Sequence, residues 1–310
     1  MIIQKVLLAY DGSEGAKLAL KGLRHCGLNG KVQVLVLTAV DAMPLPPSRG
    51  KEPKIPEWIS NEQTKARQRI QREVLWAQEQ SKEAVTYLKT HFRGWKVASQ
   101  VVVDSPAWAI INKAELMKAD LIVMGAHGTS AAARLFLGSV SQKVAMEAKC
   151  NVHVIRGDQE IKKKSLKILI ALDGSIASHL AVKRIAERIW TGGTEIHLVT
   201  AVDHTVSSAV MHKSSPVRQW IKDNLHNNAQ WVDRMVRSSV EKLREKGYAV
   251  SFLVKEGDAK QVILEEARVS GVDLVVMGNR GLGLIKRMIL GSVSTAVLSR
   301  AHCSVEVIKK

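Results

Sequence analysis

The chain has 310 residues, of which 46% are hydrophobic, 24% charged and only 4% aromatic, and its formal net charge is +17. This length suffices for about two domains, and no apolar run approaches the roughly 20 residues of a membrane helix. Three cysteines are too few for a disulfide framework, and the scarcity of aromatic residues argues against nucleic acid as the main partner. We therefore expect a cytoplasmic protein without a membrane segment.

Short apolar runs alternate with helical patterns along the chain. In the first half we predict strands near residues 3–9, 32–39, 97–103, 120–124 and 151–156. We predict helices near residues 14–26, 60–90, 106–118 and 139–148. Runs such as "VQVLVL" and "LIVM" are apolar without alternation, which is typical of strands buried on both faces. The pattern predicts an α/β fold with a doubly wound parallel sheet, whose ligands bind beyond the carboxyl ends of the strands.

The sequence contains an internal repeat with two spacings. "VLLAYDGS", beginning at Val6, aligns with "ILIALDGS", beginning at Ile168, at a spacing of 162 residues. Further along, "ADLIVMG" from Ala119 aligns with "VDLVVMG" from Val272 at a spacing of 153 residues. A fixed long spacing is the mark of duplicated structural units.

The change of spacing gives the first half nine extra residues between Trp58 and Gly94. This segment has apolar residues at three- and four-residue steps, so the insertion is expected to lengthen a helix. We predict two tandem domains over residues 1–157 and 166–310, joined by a short charged linker over 158–165.

A glycine-rich stretch follows the equivalent strand in each half: "MGAHGTSAAARLFLGSVS" from Met124 and "MGNRGLGLIKRMILGSVS" from Met277. Both follow the pattern Gly, two residues, Gly, nine residues, Gly-Ser. Glycine permits positive φ and close approach of a ligand, and successive N–H groups before a helix start attract anions. Ser139 with Gln142 also fits a capping box. The pattern predicts two phosphate cradles; the alternative is a loop that merely reverses the chain.

Several polar residues are candidates for these sites. Asp11 and Asp173 end the first strand of each half in "DGS", where an Asp either caps a helix or shapes a turn, or faces a nucleotide as an acceptor. His127 and Arg280 occupy equivalent cradle positions and could meet phosphate as cations, although His127 is as readily an exposed bystander. His153 has no second ligand at metal spacing, so we interpret it as structural.

In these motifs the chain resembles the ATP-binding branch of the universal stress protein family. "DGS" after the first strand, "AV" after the second strand and the G-x2-G-x9-G-S signature occur in both halves. The resemblance covers essentially the whole chain and implies two tandem domains, each with a five-stranded parallel sheet of order 3-2-1-4-5. In the first half it implies a site formed by Asp11, Val40, Gly125, His127, Gly128, Gly138, Ser139 and Val140. In the second half it implies Asp173, Val202, Gly278, Arg280, Gly281, Gly291, Ser292 and Val293.

The resemblance also implies the ligand and the assembly. The cofactor would be ATP, with ADP or AMP as alternatives and Mg²⁺ accompanying the nucleotide; no metal site of the protein's own is expected. Family dimers pair through the last strand, so the two halves would form an intramolecular pseudo-dimer, with room for a further homodimer. The implied function is a nucleotide-dependent stress-response or regulatory module in the cytoplasm, without fast catalysis.

Two other functions stay open. A slow ATPase or phosphotransfer enzyme is the first, although no P-loop GxxxxGK[ST] occurs and each half offers one obvious carboxylate, Asp11 or Asp173. A binder of anionic surfaces or nucleic acid is the second, and it rests on net charge alone.

The two cradles differ in sequence. Ser130 of the first half replaces Gly283 of the second, and Ala133 replaces Lys286. The first cradle therefore lacks one flexible residue and one positive charge. We expect the second site to bind nucleotide more tightly.

Overall fold

The computed structural model describes residues 4–42, 57–128, 137–157, 165–202, 236–279 and 290–309. The strands of the first half are β1 (Gln4–Ala9), β2 (Val32–Val40), β3 (Lys96–Val103), β4 (Leu121–Gly125) and β5 (Asn151–Ile155). Its helices are α1 (Glu14–Gly22), a 3₁₀ turn (Leu23–His25), α2 (Glu57–His91), α3 (Pro106–Leu116) and α4 (Ser139–Glu147). The predicted linker, apart from Ser165, lies outside the described residues.

The second half repeats this order. Its strands are β6 (Lys167–Ala171), β7 (Glu195–Val202), β8 (Ala249–Glu256), β9 (Leu274–Gly278) and β10 (Ser304–Ile308). Its helices with defined bounds are α5 (Ile176–Glu187), α6 (Ala259–Val269) and α7 (Ser292–Arg300). Residues 236–244 are also helical.

All ten strands form one sheet of order β3-β2-β1-β4-β5-β10-β9-β6-β7-β8. Within each half the strands are parallel, as the sequence pattern predicted, and follow the order 3-2-1-4-5 that the family resemblance implied. At the centre β5 pairs with β10 in antiparallel register, with His153 opposite Glu306. The direction of the strand order reverses after β1 in the first half, which places the switch point of that half between β1 and β4.

Helices cover both faces of the sheet because its central strands are apolar on both sides. Every residue of β4, β5, β9 and β10 is buried. One continuous core cluster runs across the junction of the halves and includes Ile122, Val152, Val275 and Val305. Separate clusters fill the opposite face of each half. Burial of each such side chain contributes about 1.5–3 kcal/mol, so the shared cluster ties the halves together.

The helix starts follow local rules, with one correction. Ser13 caps α1, since its Oγ accepts a hydrogen bond from Ala16 N at 3.1 Å. The capping box expected at Ser139 is wrong: Gly138 is the N-cap of α4, and no side chain caps that helix. Ser139 is the first helical residue instead. Helix α1 is also shorter than predicted, because its last turn tightens into the 3₁₀ segment.

No helix in the described ranges combines the length and apolarity needed to span a membrane.

Candidate functional site

The first half contains a cavity of about 520 Å³ at the carboxyl ends of β1, β2 and β4. Residues of α2, α3 and the start of α4 also line it. The structure brings all the predicted first-half residues to this cavity: Asp11, Val40, Gly125, His127, Gly128, Gly138, Ser139 and Val140. Ligands of doubly wound proteins bind in this place, beyond the strand ends where the strand order reverses.

Asp11 is held in a turn directly after β1. Its Oδ1 accepts a hydrogen bond from Ser13 N at 3.0 Å, so part of the carboxylate shapes the turn. Its Oδ2 lies next to Gly128, where an added Cβ would be only 2.6 Å away. Asp11 therefore stabilises the turn after β1, and it also lies on the cavity wall.

Gly125 is required by close packing of the backbone. A Cβ on Gly125 would lie 2.5 Å from the carbonyl carbon and oxygen of Gly15 at the start of α1. Among the described glycines, positive φ occurs at neither Gly125, Gly128 nor Gly138. The expectation that the cradle glycines use left-handed backbone is therefore wrong for these three. Their role is to admit neighbouring atoms closely.

The start of α4 is fixed against the end of β4. Gly138 N donates to Ala126 O at 2.8 Å, and Ser141 Oγ donates to Gly125 O at 2.8 Å. An α-helix leaves its first N–H groups without partners inside the helix, and its dipole is positive at that end. Ser139 and Val140 carry such groups at the cavity wall, in a position suited to an anion.

The charge on the described wall is mostly negative. Asp41 and Glu73 line the cavity together with Asp11, and His127 is the one side chain of the described lining that could carry positive charge. Burial raises the pKa of the Tyr10 phenol, which also lines the cavity. No group of three or more His, Cys, Asp or Glu side chains within the described ranges is arranged to hold a metal ion.

Several lining residues were missed by the sequence reasoning, and Trp76 is the most informative. It lies on α2, its side chain is 52% exposed, and its ring lies 2.9 Å from where a Cβ of Gly12 would be. Gly12 has a φ of +75°, so two constraints favour glycine beneath this ring. Trp76 falls off the apolar stripe of α2, and an aromatic residue on a polar helix face was the signal available in the sequence.

The second half repeats the same two contacts, the Asp turn after the first strand and the serine hydrogen bond to the last glycine of the fourth strand. We call these two contacts the backbone frame. Ser175 N donates to Asp173 Oδ1 at 3.0 Å, and Ser294 Oγ donates to Gly278 O at 2.9 Å. Gly291 is the N-cap of α7, as Gly138 is of α4. The other predicted residues that the structure describes here are Val202, Ser292 and Val293. Arg280 and Gly281 lie outside the described residues.

His153 is not part of the cavity wall. It is buried in β5, where its Nδ1 lies 3.0 Å from Glu306 Oε2 and 3.7 Å from Cys26 Sγ. Burial alone would lower the pKa of His153, but the contacts with Cys26 and Glu306 outweigh burial and raise it to about 9. This agrees with the interpretation of His153 as structural.

The fold and the repeated strand-end frame define a tandem, doubly wound α/β protein. The sequence model of the universal stress protein family matches residues 3–156 and again residues 165–309. The chain therefore belongs to the universal stress protein family.

Individual relatives agree with this assignment. The chain is 29% identical over 222 residues to universal stress protein Rv2005c of Mycobacterium tuberculosis, covering 70% of each protein. It is 31% identical over 157 residues to universal stress protein MJ0531 of Methanocaldococcus jannaschii, covering 51% of this chain and 88% of that protein. A solved universal stress protein from Archaeoglobus fulgidus covers 98% of both chains with a TM-score of 0.62 and 22% identity, which shows the shared fold.

Proposed function

We propose that the chain is a nucleotide-dependent stress-response or regulatory module that binds an adenine nucleotide, with ATP as the first candidate and ADP or AMP as alternatives. The observation that carries this proposal is that the eight first-half residues implied by the family resemblance all line one cavity at the strand ends. A cavity of about 520 Å³ also lies within the range of about 300–1,000 Å³ usual for small-molecule sites.

Different parts of the wall suit different parts of a nucleotide. Apolar groups such as Val40 and Ile110 would surround the base, with Trp76 at its edge. Asp11 Oδ2 would accept a hydrogen bond from a ribose hydroxyl. The first N–H groups of α4, at Ser139 and beyond, would hold phosphate oxygens. Mg²⁺, if it accompanies the nucleotide, would be held mainly by the phosphates.

A second site is proposed in the other half, because the backbone frame is repeated there. It would use Asp173, Val202, Gly278, Arg280, Gly281, Gly291, Ser292 and Val293. We further propose that residues 1–157 and 166–310 are the two domains, with residues 158–165 as the linker.

The two domains are proposed to act as an intramolecular pseudo-dimer in the cytoplasm. The pairing of β5 with β10 supports this, since each strand covers the open edge of the other. A further homodimer would have to use another surface, because these edges already occupy one another.

A slow ATPase or phosphotransfer enzyme is the second candidate. The structure adds Asp41 and Glu73 to Asp11 on the cavity wall, and a carboxylate near a bound water could act as a general base. We expect turnover far below the roughly 10 per second typical of enzymes. Hydrolysis at ordinary enzyme rates that disappears in Asp11→Ala would favour the enzyme over the binding module.

The binding proposal is tested by calorimetry of the full chain with ATP, ADP and AMP. Gly128→Val should abolish one of two binding phases, because its side chain would collide with Asp11. Gly192→Val is the matched control, since Gly192 has neither positive φ nor any atom within 4 Å of an added Cβ. Absence of binding by the wild type, or equal binding by Gly128→Val, would contradict the proposed site.

A further inference from the structure

Four buried side chains meet at the junction of the two halves. Arg188 Nη1 donates to Glu306 Oε2 at 2.7 Å, and its Nη2 donates to Oε1. His153 Nδ1 contacts the same carboxylate from the opposite strand, and Cys26 Sγ contacts that same ring nitrogen. Their exposed fractions are 8% for Arg188, 1% for His153, and 0% for Glu306 and Cys26. We call these four residues the junction quartet.

The quartet occupies two pairs of equivalent positions in the repeat. His153 and Glu306 are 153 residues apart, and Cys26 and Arg188 are 162 residues apart. Each half therefore supplies the same two positions, but the first fills them with Cys and His and the second with Arg and Glu. In an antiparallel pair related by a twofold axis, an equivalent position near the axis faces itself. This is why His153 lies opposite Glu306.

The strand residues on either side of His153 and Glu306 have the same chemistry in both halves. Val152 and Val154 face Val307 and Val305. Such contacts would form equally well between two first halves or two second halves.

The cations that follow the two strands behave in the same way. Arg156 Nη1 donates to Ala301 O at 2.7 Å, and Lys309 Nζ donates to Ala145 O at 2.7 Å. Each cation thus reaches carbonyl groups at the carboxyl end of a helix in the other half, where positive charge is favoured. A pair of two first halves or of two second halves, which we call like pairing, would preserve this arrangement too. Unlike pairing is the pairing of a first half with a second half.

Only the quartet distinguishes unlike from like pairing among these contacts. A pair of second halves would place Glu306 opposite Glu306; each would keep the Arg188 of its own half, but the two facing carboxylates can only accept hydrogen bonds and would lose the donor that His153 supplies. A pair of first halves would place His153 opposite His153, with no carboxylate to accept from either ring. Unlike pairing gives Glu306 donors from both sides and gives His153 an anionic partner.

We propose that the junction quartet makes this interface selective for unlike halves, so that β5 accepts β10 and rejects the β5 edge of a second copy of the chain. The inference concerns assembly and does not depend on nucleotide binding.

The test begins with the folded full chain carrying a protease site in the predicted linker, which is cut after folding. Native mass spectrometry then counts unlike and like pairs as the halves exchange. In the wild type, the equilibrium constant that converts like pairs into unlike pairs should exceed its value for random pairing by roughly a hundredfold, because each exchange of two unlike pairs into two like pairs loses two His–Glu contacts worth about tenfold each. Random pairing, or dissociation into single halves, would overturn the proposal.

Variants separate selectivity from general stability. His153→Val with Arg188→Met and Glu306→Val replaces the charges by apolar groups, a change that buried ion pairs often tolerate, and should give random pairing. Arg156→Met is the matched control and should weaken pairing without changing its selectivity. If the triple variant does not fold, Glu306→Gln removes the charge with less change of shape and should relax selectivity in the same direction. Unlike-only pairing by a folded charge-free variant would contradict the inference.

Discussion

The two candidate sites share a backbone frame and differ in the side chains placed on it. Ser141 and Ser294 make the same hydrogen bond to the glycine at the end of the preceding strand, at 2.8 Å to Gly125 and 2.9 Å to Gly278. Asp11 is half-buried, whereas Asp173, which makes the same turn contact, is exposed. The repeated hydrogen bonds belong to the fold itself, so differences in ligand binding should come from side chains.

The segment that carries the insertion of the first half contributes side chains to its cavity. Helix α2 extends over 35 residues and brings Glu73 and Trp76 to the cavity. Tyr10 lines the first cavity, and Leu172 stands at the equivalent position of the second half. A helix segment far from the signature glycines thus contributes to the wall of the first site.

The frame itself gives the largest expected effect. Gly125→Val should lower the free energy of unfolding by about 3 kcal/mol, because the added side chain would meet the backbone of Gly15. Gly278→Val should cost a similar amount, because it would meet Ala177. Urea denaturation monitored by circular dichroism measures both. If only one of the two variants lowers the free energy of unfolding, the two backbone frames are not equivalent. Gly192→Val is the control and should leave the free energy of unfolding unchanged.

The second prediction concerns nucleotide affinity in the two halves. The second cradle carries Arg280, Gly283 and Lys286, which lie outside the described residues, and one further charged contact to phosphate is worth about 1.5–3 kcal/mol. We expect the second site to bind about tenfold to a hundredfold more tightly. In calorimetric titrations Gly281→Val should remove the tighter phase and Gly128→Val the weaker one. The opposite assignment would reverse the ranking of the sites.

The fold was predictable from the sequence because its strands are continuous apolar runs and its repeat shows the same order twice. The strand order 3-2-1-4-5 came from the family resemblance. The N-cap at Gly138 was not predictable, because Ser139 is an equally suitable N-cap residue by local sequence. Which of the two caps the helix depends on how α4 packs against β4. Trp76 was missed because the lining role of a residue on α2 depends on where that helix crosses the strand ends.

The His153–Glu306 contact was missed for a different reason. The sequence aligned the two residues as equivalents, and equivalent residues of a repeat do not ordinarily touch. They meet only because β5 and β10 pair antiparallel around a local twofold axis near these positions. A search for opposite charges at equivalent positions of the last strands would have found the pair.

The third prediction uses pH to examine this one buried difference between the halves. Burial alone would raise the pKa of Glu306, but Arg188 and His153 outweigh burial and hold it at about 2, below the ordinary 4.5. Its contribution to stability is therefore present above pH 4.5 and is lost as the pH falls toward 2. His153, raised from 6.5 to about 9, contributes fully below pH 6.5 and loses its contribution as the pH rises through 9.

The free energy of unfolding should consequently decline as the pH rises from 6.5 to about 9. Urea denaturation across this range measures the decline, and Cys26, Glu306 and Arg188 are the titratable groups of the quartet that face or support the imidazole. His153→Gln, which cannot titrate, should be less stable than the wild type below pH 6.5 and should show a smaller alkaline decline. An unchanged decline in that variant would assign the effect to other groups.

The smallest expected effect tests the side chain that sets the first site apart. Contact between an aromatic ring and a base contributes about 0.5–1.5 kcal/mol, so Trp76→Ala should weaken first-site binding about twofold to tenfold. Intrinsic fluorescence should also change when nucleotide binds, and Trp76→Phe should remove that change while keeping most of the affinity. Trp108→Phe is the matched control, because Trp108 is 45% exposed, packs against Lys143 and is absent from the cavity wall. If the Trp108 variant loses the signal and the Trp76 variant keeps it, the nucleotide is not bound beside α2, and the difference between the halves must be sought in the cradles alone.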